Sequence, residues 1–285
     1  MTSTIDIRSD ADRALKARLR TMWALGDYPA VAHDVIPHLG ETLVAAAGVG
    51  PGQRVLDVAA GPGNAAIPAA LAGADVVASD LTPALLEAGR ANAAAAGASL
   101  AWEEADAEDL PYADASFDTV LSCVGVMFAP HHQLSADEMV RVARPGGTIA
   151  LVSWTPAGYV GQMLKAVAPF APPPPPGASP APLWGDPEHL AGLLGDRVSD
   201  VRTERRSVRV DHFDSPSDFR EYFKRNYGPT VAVYRSLADD PERSAALDAA
   251  LDDLAASHGA PATREDGTVA HVMEWEYLLY LARRR

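Results

Sequence analysis

The stretch that decides the fold is Val55-Leu56-Asp57-Val58-Ala59-Ala60-Gly61-Pro62-Gly63-Asn64. The apolar run at 54–58 predicts a short buried strand, and the glycines after it predict a turn into a helix. Because glycine has no side chain, the backbone at such a turn can approach a ligand closely. Sheets of parallel strands bind their ligands at this carboxyl edge. The stretch therefore predicts a ligand site directly after the first strand.

Taken alone, this stretch leaves the ligand open. Gly61, Gly63 and Ala66 fit the dinucleotide pattern G-x-G-x-x-A, and Asp80 follows Gly61 by 19 residues, where an acid that binds a ribose would stand. An ordinary tight turn would use the same residue types. Other segments of the chain have to decide between a nicotinamide cofactor and a different one.

Strand patterns alternate with helix patterns from Val55 to Trp154, which predicts a parallel sheet covered on both faces. After Trp154 the alternation ends, and the prolines at 172–176 predict an extended connector. A polar residue before a proline predicts a helix start at Thr82, Asp186, Ser215 and Asp240, and a further helix is predicted at Ala136–Ala143. The predicted strands are Arg54–Val58, Asp75–Ser79, Leu100–Glu103, Asp118–Cys123, Thr148–Ser153, Val198–Val210 and Glu274–Ala282.

The composition excludes several classes of protein. The chain has 285 residues, of which 48% are hydrophobic, and a formal net charge of −14. This apolar fraction is ample for a core, while the acidic balance argues against a nucleic-acid partner. The one cysteine, Cys123, cannot form an internal disulfide, and no stretch resembles a secretion signal or a membrane span. We therefore expect a cytoplasmic protein that binds neither membranes nor nucleic acid.

Three further features favour one cofactor. Asp57 precedes the glycines, where a carboxylate would repel a pyrophosphate but attract a cationic amino group. Asp106 follows the third predicted strand in the segment Glu104-Ala105-Asp106-Ala107-Glu108-Asp109-Leu110-Pro111, and Arg144-Pro145-Gly146-Gly147 precedes the fifth. In this order, over about 54–154, the set resembles the class I S-adenosylmethionine-dependent methyltransferases. The resemblance is to their small-molecule branch, which includes the ubiquinone and menaquinone C-methyltransferases.

The resemblance implies a Rossmann-like α/β fold. We expect a mostly parallel sheet of seven strands, with the last one antiparallel, and a helical cap and lid. The chain would form a single methyltransferase domain, 1–285. Within it, 1–35 would be the lid, 36–154 the cofactor-binding core, 155–184 a proline-rich connector and cap, and 185–285 the rest of the sheet with a helical substrate-cap insertion.

The resemblance also assigns roles to residues around the cofactor. Gly61 and Gly63 would shape the floor beneath the methionine moiety, with Asp57 near its amino group. Often the family has glycine where this chain has Ala59, so the loop is expected to be less open there. The remaining assignments are Asp80 to the ribose hydroxyls, Leu81 to the adenine face, Asp106 to the adenine amino group, Ala107 through its N–H to the ring, and Ser122 through backbone atoms to the methionine moiety. Without the other motifs, carboxylates at strand ends such as Asp80 and Asp106 would be expected to be solvated surface groups.

The segment at 22–31 is expected to fold over the cofactor, as it does in similar methyltransferases. Trp23 and Tyr28 would then shield the sulfonium, whose positive charge favours aromatic faces. Alternatively, both aromatics only pack the N-terminal helix.

His131 and His132 follow the fourth strand, where the methyl group would point. A histidine there could remove a proton from the acceptor, because its ordinary pKa is near 6.5. The alternative is a surface histidine that begins a helix. No spacing typical of a metal site is present, so no metal is predicted.

An aromatic stripe at helical spacing, Phe219, Tyr222, Phe223 and Tyr227, favours packing on the core. It could also line an apolar substrate pocket together with Trp154, Phe170 and Trp184.

These features predict a methyltransferase that moves a methyl group from S-adenosylmethionine to an oxygen, nitrogen or carbon of a small molecule, with S-adenosylhomocysteine as product. The acceptor would be a secondary metabolite or a quinone-like or phenolic compound. A nicotinamide-dependent oxidoreductase, and a protein that binds the cofactor without transferring methyl, stay open, as does a homodimer.

Overall fold

The structure, a computed structural model, describes residues 9–264 and 266–285. This part of the chain forms eight strands and eleven α-helices. The helices are α1 Asp10–Trp23, α2 Tyr28–Val35, α3 Leu39–Ala47, α4 Ala66–Leu71, α5 Pro83–Ala96, α6 His132–Val142, α7 Tyr159–Val167, α8 Pro187–Leu194, α9 Pro216–Asn226, α10 Gly228–Ser236 and α11 Pro241–His258. The strands are β1 Arg54–Val58, β2 Asp75–Asp80, β3 Ala101–Glu104, β4 Phe117–Cys123, β5 Ala143–Trp154, β6 Val198–Val210, β7 Gly259–Thr263 and β8 Val269–Arg284.

All strands join one sheet in the order β3-β2-β1-β4-β5-β8-β6, and β7 pairs with β8. The first five strands are parallel to one another, whereas β8 runs antiparallel to both β5 and β6. The predicted Rossmann-like α/β fold and its antiparallel last strand are confirmed. The count of seven strands was too low by one, because the chain after α11 forms the short β7 before it turns into β8.

The centre of the sheet is covered on both faces. Val55, Leu56 and Val58 of β1 are completely buried although neighbouring side chains on a strand point to opposite faces. Such burial requires helices on each side of the sheet. It leaves the carboxyl edge as the place where the loops after β1, β2, β3 and β4 can meet a ligand.

Proline starts the helices where the sequence predicted it. The side chains of Ser215 and Asp240 accept hydrogen bonds from the N–H groups of Asp218 and Arg243, at 3.1 and 3.0 Å. Thr82 also precedes its helix, but its side chain makes no capping bond. A different residue caps this turn, since Asp80 accepts from the Thr82 N–H at 2.8 Å.

Helix α6 begins at His132, four residues before the predicted start at Ala136. Both predicted general-base residues therefore stand at a helix start.

Across the described residues, every helix is too short or too polar to cross a membrane.

Candidate active site

A cleft opens at the carboxyl edge of the sheet. Its walls come from the loops after β1, β2, β3 and β4 and from helix α1. Eight of the residues that the sequence assigned to the cofactor line it: Trp23, Tyr28, Ala59, Gly61, Asp80, Leu81, Asp106 and Ala107.

The glycine loop after β1 is tightly packed on one side and open on the other. Gly61 and Gly63 have φ angles of +55° and +96°, in the left-handed region that favours glycine. A β-carbon on Gly63 would lie 2.7 Å from the Trp102 ring, whereas one on Gly61 would meet only Tyr28, at 3.7 Å. Gly63 therefore serves packing, and Gly61 leaves the cleft open.

Ala59, in the same loop, is also in the left-handed region. Its φ of +55° is strained for a residue with a side chain. The loop after β4 comes so close that a β-carbon on Gly125 would lie 2.1 Å from the Ala59 carbonyl oxygen. Contact between these two loops fixes the conformation of Ala59.

Asp80 ties the loops after β1 and β2 together. Its two carboxylate oxygens accept hydrogen bonds from the N–H groups of Gly61 and Thr82, both at 2.8 Å. Burial raises the pKa of Asp80, and these two bonds oppose that rise because they favour the ionised form. A carboxylate oxygen can accept more than one hydrogen bond, so Asp80 retains acceptor capacity toward the cleft.

Asp57 lies beneath the glycine loop and does not line the cleft. Its side chain is buried, and neither carboxylate oxygen has a hydrogen-bond partner among the described residues. The N–H of Ala66 favours the ionised form, but its geometry falls short of a hydrogen bond. Burial raises the pKa of Asp57 to about 8, so the group is mostly protonated at neutral pH. Its predicted place beside a cationic amino group stays a prediction.

Ser122, at the end of β4, is buried and also lies outside the cleft. Its hydroxyl donates to the Val58 carbonyl at 2.7 Å and accepts from the Val126 N–H at 2.9 Å. The side chain thus joins β1 to the turn after β4. Cys123 next to it lines the cleft, and burial raises the pKa of its thiol, as expected for an unreactive cysteine.

Two basic side chains of α1, one helical turn apart, hold that helix over the cleft. Lys16 pairs with Asp106, 3.0 Å from an oxygen, and with Glu108. Arg20 donates to the Leu81 carbonyl at 3.0 Å and pairs with Glu104. Burial alone would lower the pKa of Lys16, but the two acids raise it above its ordinary value. Neither residue was predicted from the sequence.

The comparisons with known proteins agree with this geometry. Residues 56–151 match a family model described as a methyltransferase domain. The chain belongs to the class I S-adenosylmethionine-dependent methyltransferases.

Three known proteins are similar to this chain over different shares of its length. The uncharacterized protein Rv1405c of Mycobacterium tuberculosis is 49% identical over 282 residues, which cover 99% of this chain and 100% of that protein. A demethylmenaquinone methyltransferase of Clavibacter sepedonicus is 38% identical over 124 residues, which cover 41% of this chain and 50% of that one. The YcgJ protein of Bacillus subtilis shares the fold, with a TM-score of 0.60, 17% identity and coverage of 87% and 98%.

In this methyltransferase the two predicted base residues lie outside the cleft. The N–H of His131 donates to Glu108 at 2.7 Å, and its Nδ1 lies 2.9 Å from the other oxygen of that carboxylate. The ring of His132 contacts Trp184, and its Nδ1 lies 3.0 Å from Nε2 of His189. Burial lowers the pKa of His132 to about 4. A role for either histidine as a base stays a prediction.

Asp12, Glu108 and His131 converge beside the cleft. All three are buried, and their potential ligand atoms lie within 4.8 Å of one another. Lys16 already supplies a cation to Glu108. Lys16 and Glu108 thus join α1 to the loop after β3, and Glu108 also contacts the His131 ring. Asp12 stands beside them, and its Oδ1 has no hydrogen-bond partner among the described residues.

A second, smaller cavity adjoins the cleft. Tyr28 and Phe128 line both spaces, and the rest of the second cavity is formed by Val31, Ile36, Trp154, Val160, Met163, Phe223, Tyr227 and Trp275. No described residue with a charged side chain is part of this lining. We call it the apolar cavity.

The aromatic stripe of α9 divides between the two interpretations that the sequence left open. Phe223, Tyr227 and the more distant Trp154 line the apolar cavity. Phe219 is core, and the Tyr222 hydroxyl donates to Asp34 at 2.8 Å. Phe170 and Trp184 line neither space.

Proposed function

We propose that this methyltransferase binds S-adenosylmethionine in the cleft and transfers its methyl group to an oxygen, nitrogen or carbon of a small, uncharged molecule in the apolar cavity. The proposal rests on the wall that the cleft and the apolar cavity share. Because Tyr28 and Phe128 line both spaces, a donor in the cleft and an acceptor in the cavity would meet there. The uncharged lining and the similarity to a demethylmenaquinone methyltransferase support a quinone-like or phenolic acceptor.

The lining of the cleft supports binding of the cofactor. Asp80 would accept hydrogen bonds from the ribose hydroxyls while it holds Gly61 and Thr82. Leu81 would pack on the adenine, and Asp106 and the Ala107 N–H would bind its edge. The open side of Gly61 leaves room for the methionine moiety, since only Tyr28 stands near it.

The chain's own contribution to the reaction would be alignment and exclusion of water. The cofactor supplies a methyl group already activated by a positively charged sulfur. Trp23 contacts the edges of Tyr28 and Phe128, with ring centroids 5.6 and 4.9 Å apart. These rings would surround the charge with aromatic faces and keep water away. Alignment of two bound reactants can supply much of the rate enhancement.

We further propose the division of labour that the sequence suggested. Residues 1–35, of which 1–8 lie outside the described residues, would serve as the lid, since α1 and Tyr28 line the cleft. Cap segments at 155–184 and within 185–285 would select the acceptor, because each contributes to the apolar cavity through residues such as Met163 and Phe223.

Binding and transfer are tested separately. Isothermal titration should detect S-adenosylhomocysteine and no NAD, whereas the reverse would favour a nicotinamide enzyme. Incubation with S-adenosylmethionine labelled in its methyl group and a panel of phenols, quinols and amines should then yield a labelled acceptor. Cofactor binding without any labelled product would favour the third candidate, a protein that uses the cofactor without transferring methyl.

A further inference from the structure

Lys16 of helix α1 contacts the Asp106 carboxylate at the cleft. Its Nζ lies 3.1 Å from Oδ1 and 3.0 Å from Oδ2 of Asp106, so one ammonium group reaches both oxygens. Oδ1 also accepts from the Glu108 N–H of its own loop, at 3.0 Å. Among the described residues, Lys16 is the only partner of Oδ2. Lys16 therefore fixes the rotation of this carboxylate.

Glu108 in turn holds the ammonium group of Lys16 in place. The Glu108 side chain is completely buried, and one of its oxygens pairs with Lys16. Its other oxygen accepts from the N–H of His131, the residue before α6, at 2.7 Å. A chain of contacts thus runs from the start of α6 through Glu108 and Lys16 to Asp106.

The charge of Lys16 is retained in these buried surroundings. Burial lowers the pKa of Lys16, but Asp106 and Glu108 outweigh burial and raise it above its ordinary value. Hydrogen bonds between ionised groups are roughly twice as strong as those between neutral groups. A cation that contacts both oxygens of Asp106 therefore holds the carboxylate firmly.

Asp106 keeps the capacity to bind a ligand while Lys16 holds it. Its side chain is 23% exposed, and the residue lines the cleft. Each oxygen of a carboxylate can accept two hydrogen bonds, and Oδ2 has one partner. A ligand with an amino group suits such a site, whereas the carboxylate would repel a carbonyl oxygen in the same position.

We propose that Lys16 is a positioning residue for recognition of the adenine base. It holds Asp106 in the rotation that accepts from the adenine amino group and that rejects a base with a carbonyl oxygen there. This inference rests on the proposed function, in which the adenine lies beside Asp106. Because Lys16 belongs to α1, the lid takes part in the choice of base.

The test compares two ligands on the full-length protein by isothermal titration. They are S-adenosylhomocysteine and S-inosylhomocysteine, in which a carbonyl oxygen replaces the amino group of the base. The wild type should prefer the adenosyl ligand by about 100-fold, because the other base leaves the carboxylate without a donor. In Lys16→Met this preference should fall by about tenfold, since a carboxylate that can rotate accepts less well and can turn away from a carbonyl.

Two control variants on α1 separate recognition of the base from attachment of the helix. Arg20→Met removes the other cation that holds α1, at the Leu81 carbonyl and Glu104. It should weaken both ligands by the same factor and leave the preference unchanged, because these contacts do not involve Asp106. Arg18→Met, at an exposed position of the same helix, should change neither affinity.

A second variant guards against misfolding. Lys16→Met leaves Glu108 buried without its cation. The double variant Lys16→Met with Glu108→Gln removes both charges, and its preference should fall to the same extent.

The outcomes separate the two proposals. Failure of S-adenosylhomocysteine to bind the wild type would overturn the proposed function. If it binds and both Lys16 variants keep the wild-type preference, the role of Lys16 is overturned and the proposed function stands. Equal affinity of the wild type for both ligands would also overturn that role, because Asp106 would then not distinguish the two bases.

Discussion

The cleft and the apolar cavity share a wall but hold ligands by different means. In the cleft, polar groups stand at strand ends with fixed partners, as Asp80 does between Gly61 and Thr82. In the apolar cavity the lining is aliphatic and aromatic, and its polar atoms are hydroxyl and indole groups. Oriented carboxylates suit one defined cofactor, whereas an uncharged cavity selects by shape and polarity. Substitutions in the cavity should therefore change the acceptor without changing the cofactor.

The largest effect is expected from filling the cavity. Met163→Trp would occupy the space of the acceptor. The affinity for a phenolic probe, 2-naphthol, should therefore fall by at least about 100-fold, while the affinity for S-adenosylhomocysteine should change by no more than about twofold. Titration of each ligand measures both. Lys165→Trp, on the exposed side of the same helix, should change neither.

If Met163→Trp lost affinity for both ligands equally, the two spaces would not bind their ligands independently. Because a large side chain can strain a core, Val160→Phe provides a smaller step at the same cavity, and it should weaken 2-naphthol in the same direction.

The cleft is tested at Asp80. Asp80→Ala removes the proposed ribose contacts and leaves the N–H groups of Gly61 and Thr82 without a partner, each at a cost of about 1–3 kcal/mol. The affinity for S-adenosylhomocysteine should fall by about 50-fold, as measured by calorimetry. Asp75→Ala, at the exposed start of the same strand, should bind like the wild type. An unchanged affinity in Asp80→Ala would exclude the carboxylate from cofactor binding.

Asp57 differs from the acids in the cleft because its carboxyl group is buried without a hydrogen-bond partner among the described residues. Its pKa of about 8 in the folded protein exceeds its ordinary value near 3.9. Between these values the folded state holds a proton that the unfolded state releases, so stability from this group is present at low pH and is lost as pH rises through 8. Asp57→Asn cannot ionise. Its free energy of unfolding relative to wild type should rise by about 2 kcal/mol from pH 5 to pH 6.5, since in this window each pH unit corresponds to about 1.4 kcal/mol.

Urea unfolding at both pH values measures this difference, with Asp75→Asn as the exposed control. A constant difference between Asp57→Asn and wild type would mean that Asp57 is ionised throughout the range.

The smallest effect is expected at Ala59. Ala59→Gly relieves a left-handed conformation that costs a residue with a side chain about 1–2 kcal/mol, and it adds about 0.5–1 kcal/mol of chain entropy to be lost on folding. The net gain in stability should be about 0.5 kcal/mol. Ala60→Gly next to it should instead lose stability, because the φ of Ala60 is not positive. Urea unfolding of the pair checks both signs, and a loss in Ala59→Gly would show that the loop holds no strain there.

Most of the residues that the sequence assigned to the cofactor line the cleft, because their determinants are local. Asp57, Gly63 and Ser122 do not line it, and the assigned roles stay predictions. Strand, glycine turn and helix follow one another at 54–71, and Asp80 and Asp106 each stand at or just after a strand end that the pattern locates. Lys16 was missed because its partners lie 90 and 92 residues away. The spacing of Lys16 and Arg20, four residues apart, was the available signal for a basic face on α1.

The apolar cavity could not be predicted in the same way. It joins side chains from Tyr28 to Trp275, and nothing near Tyr28 in the sequence indicates that Tyr227 will face it. The two histidines were expected at the cleft but lie outside it, for a related reason. Their location after β4 was correct, but Glu108 and His189 hold the two rings outside the cleft, and these contacts are tertiary.

A crystal structure of the protein with S-adenosylhomocysteine bound would show directly whether the cleft holds the cofactor with its sulfur toward the apolar cavity. We predict that its ribose contacts Asp80, its adenine lies beside Leu81 and Asp106, and its sulfur stands at the wall of Tyr28 and Phe128, facing the apolar cavity. A sulfur that faces away from that wall, or a ligand bound outside the cleft, would contradict the account.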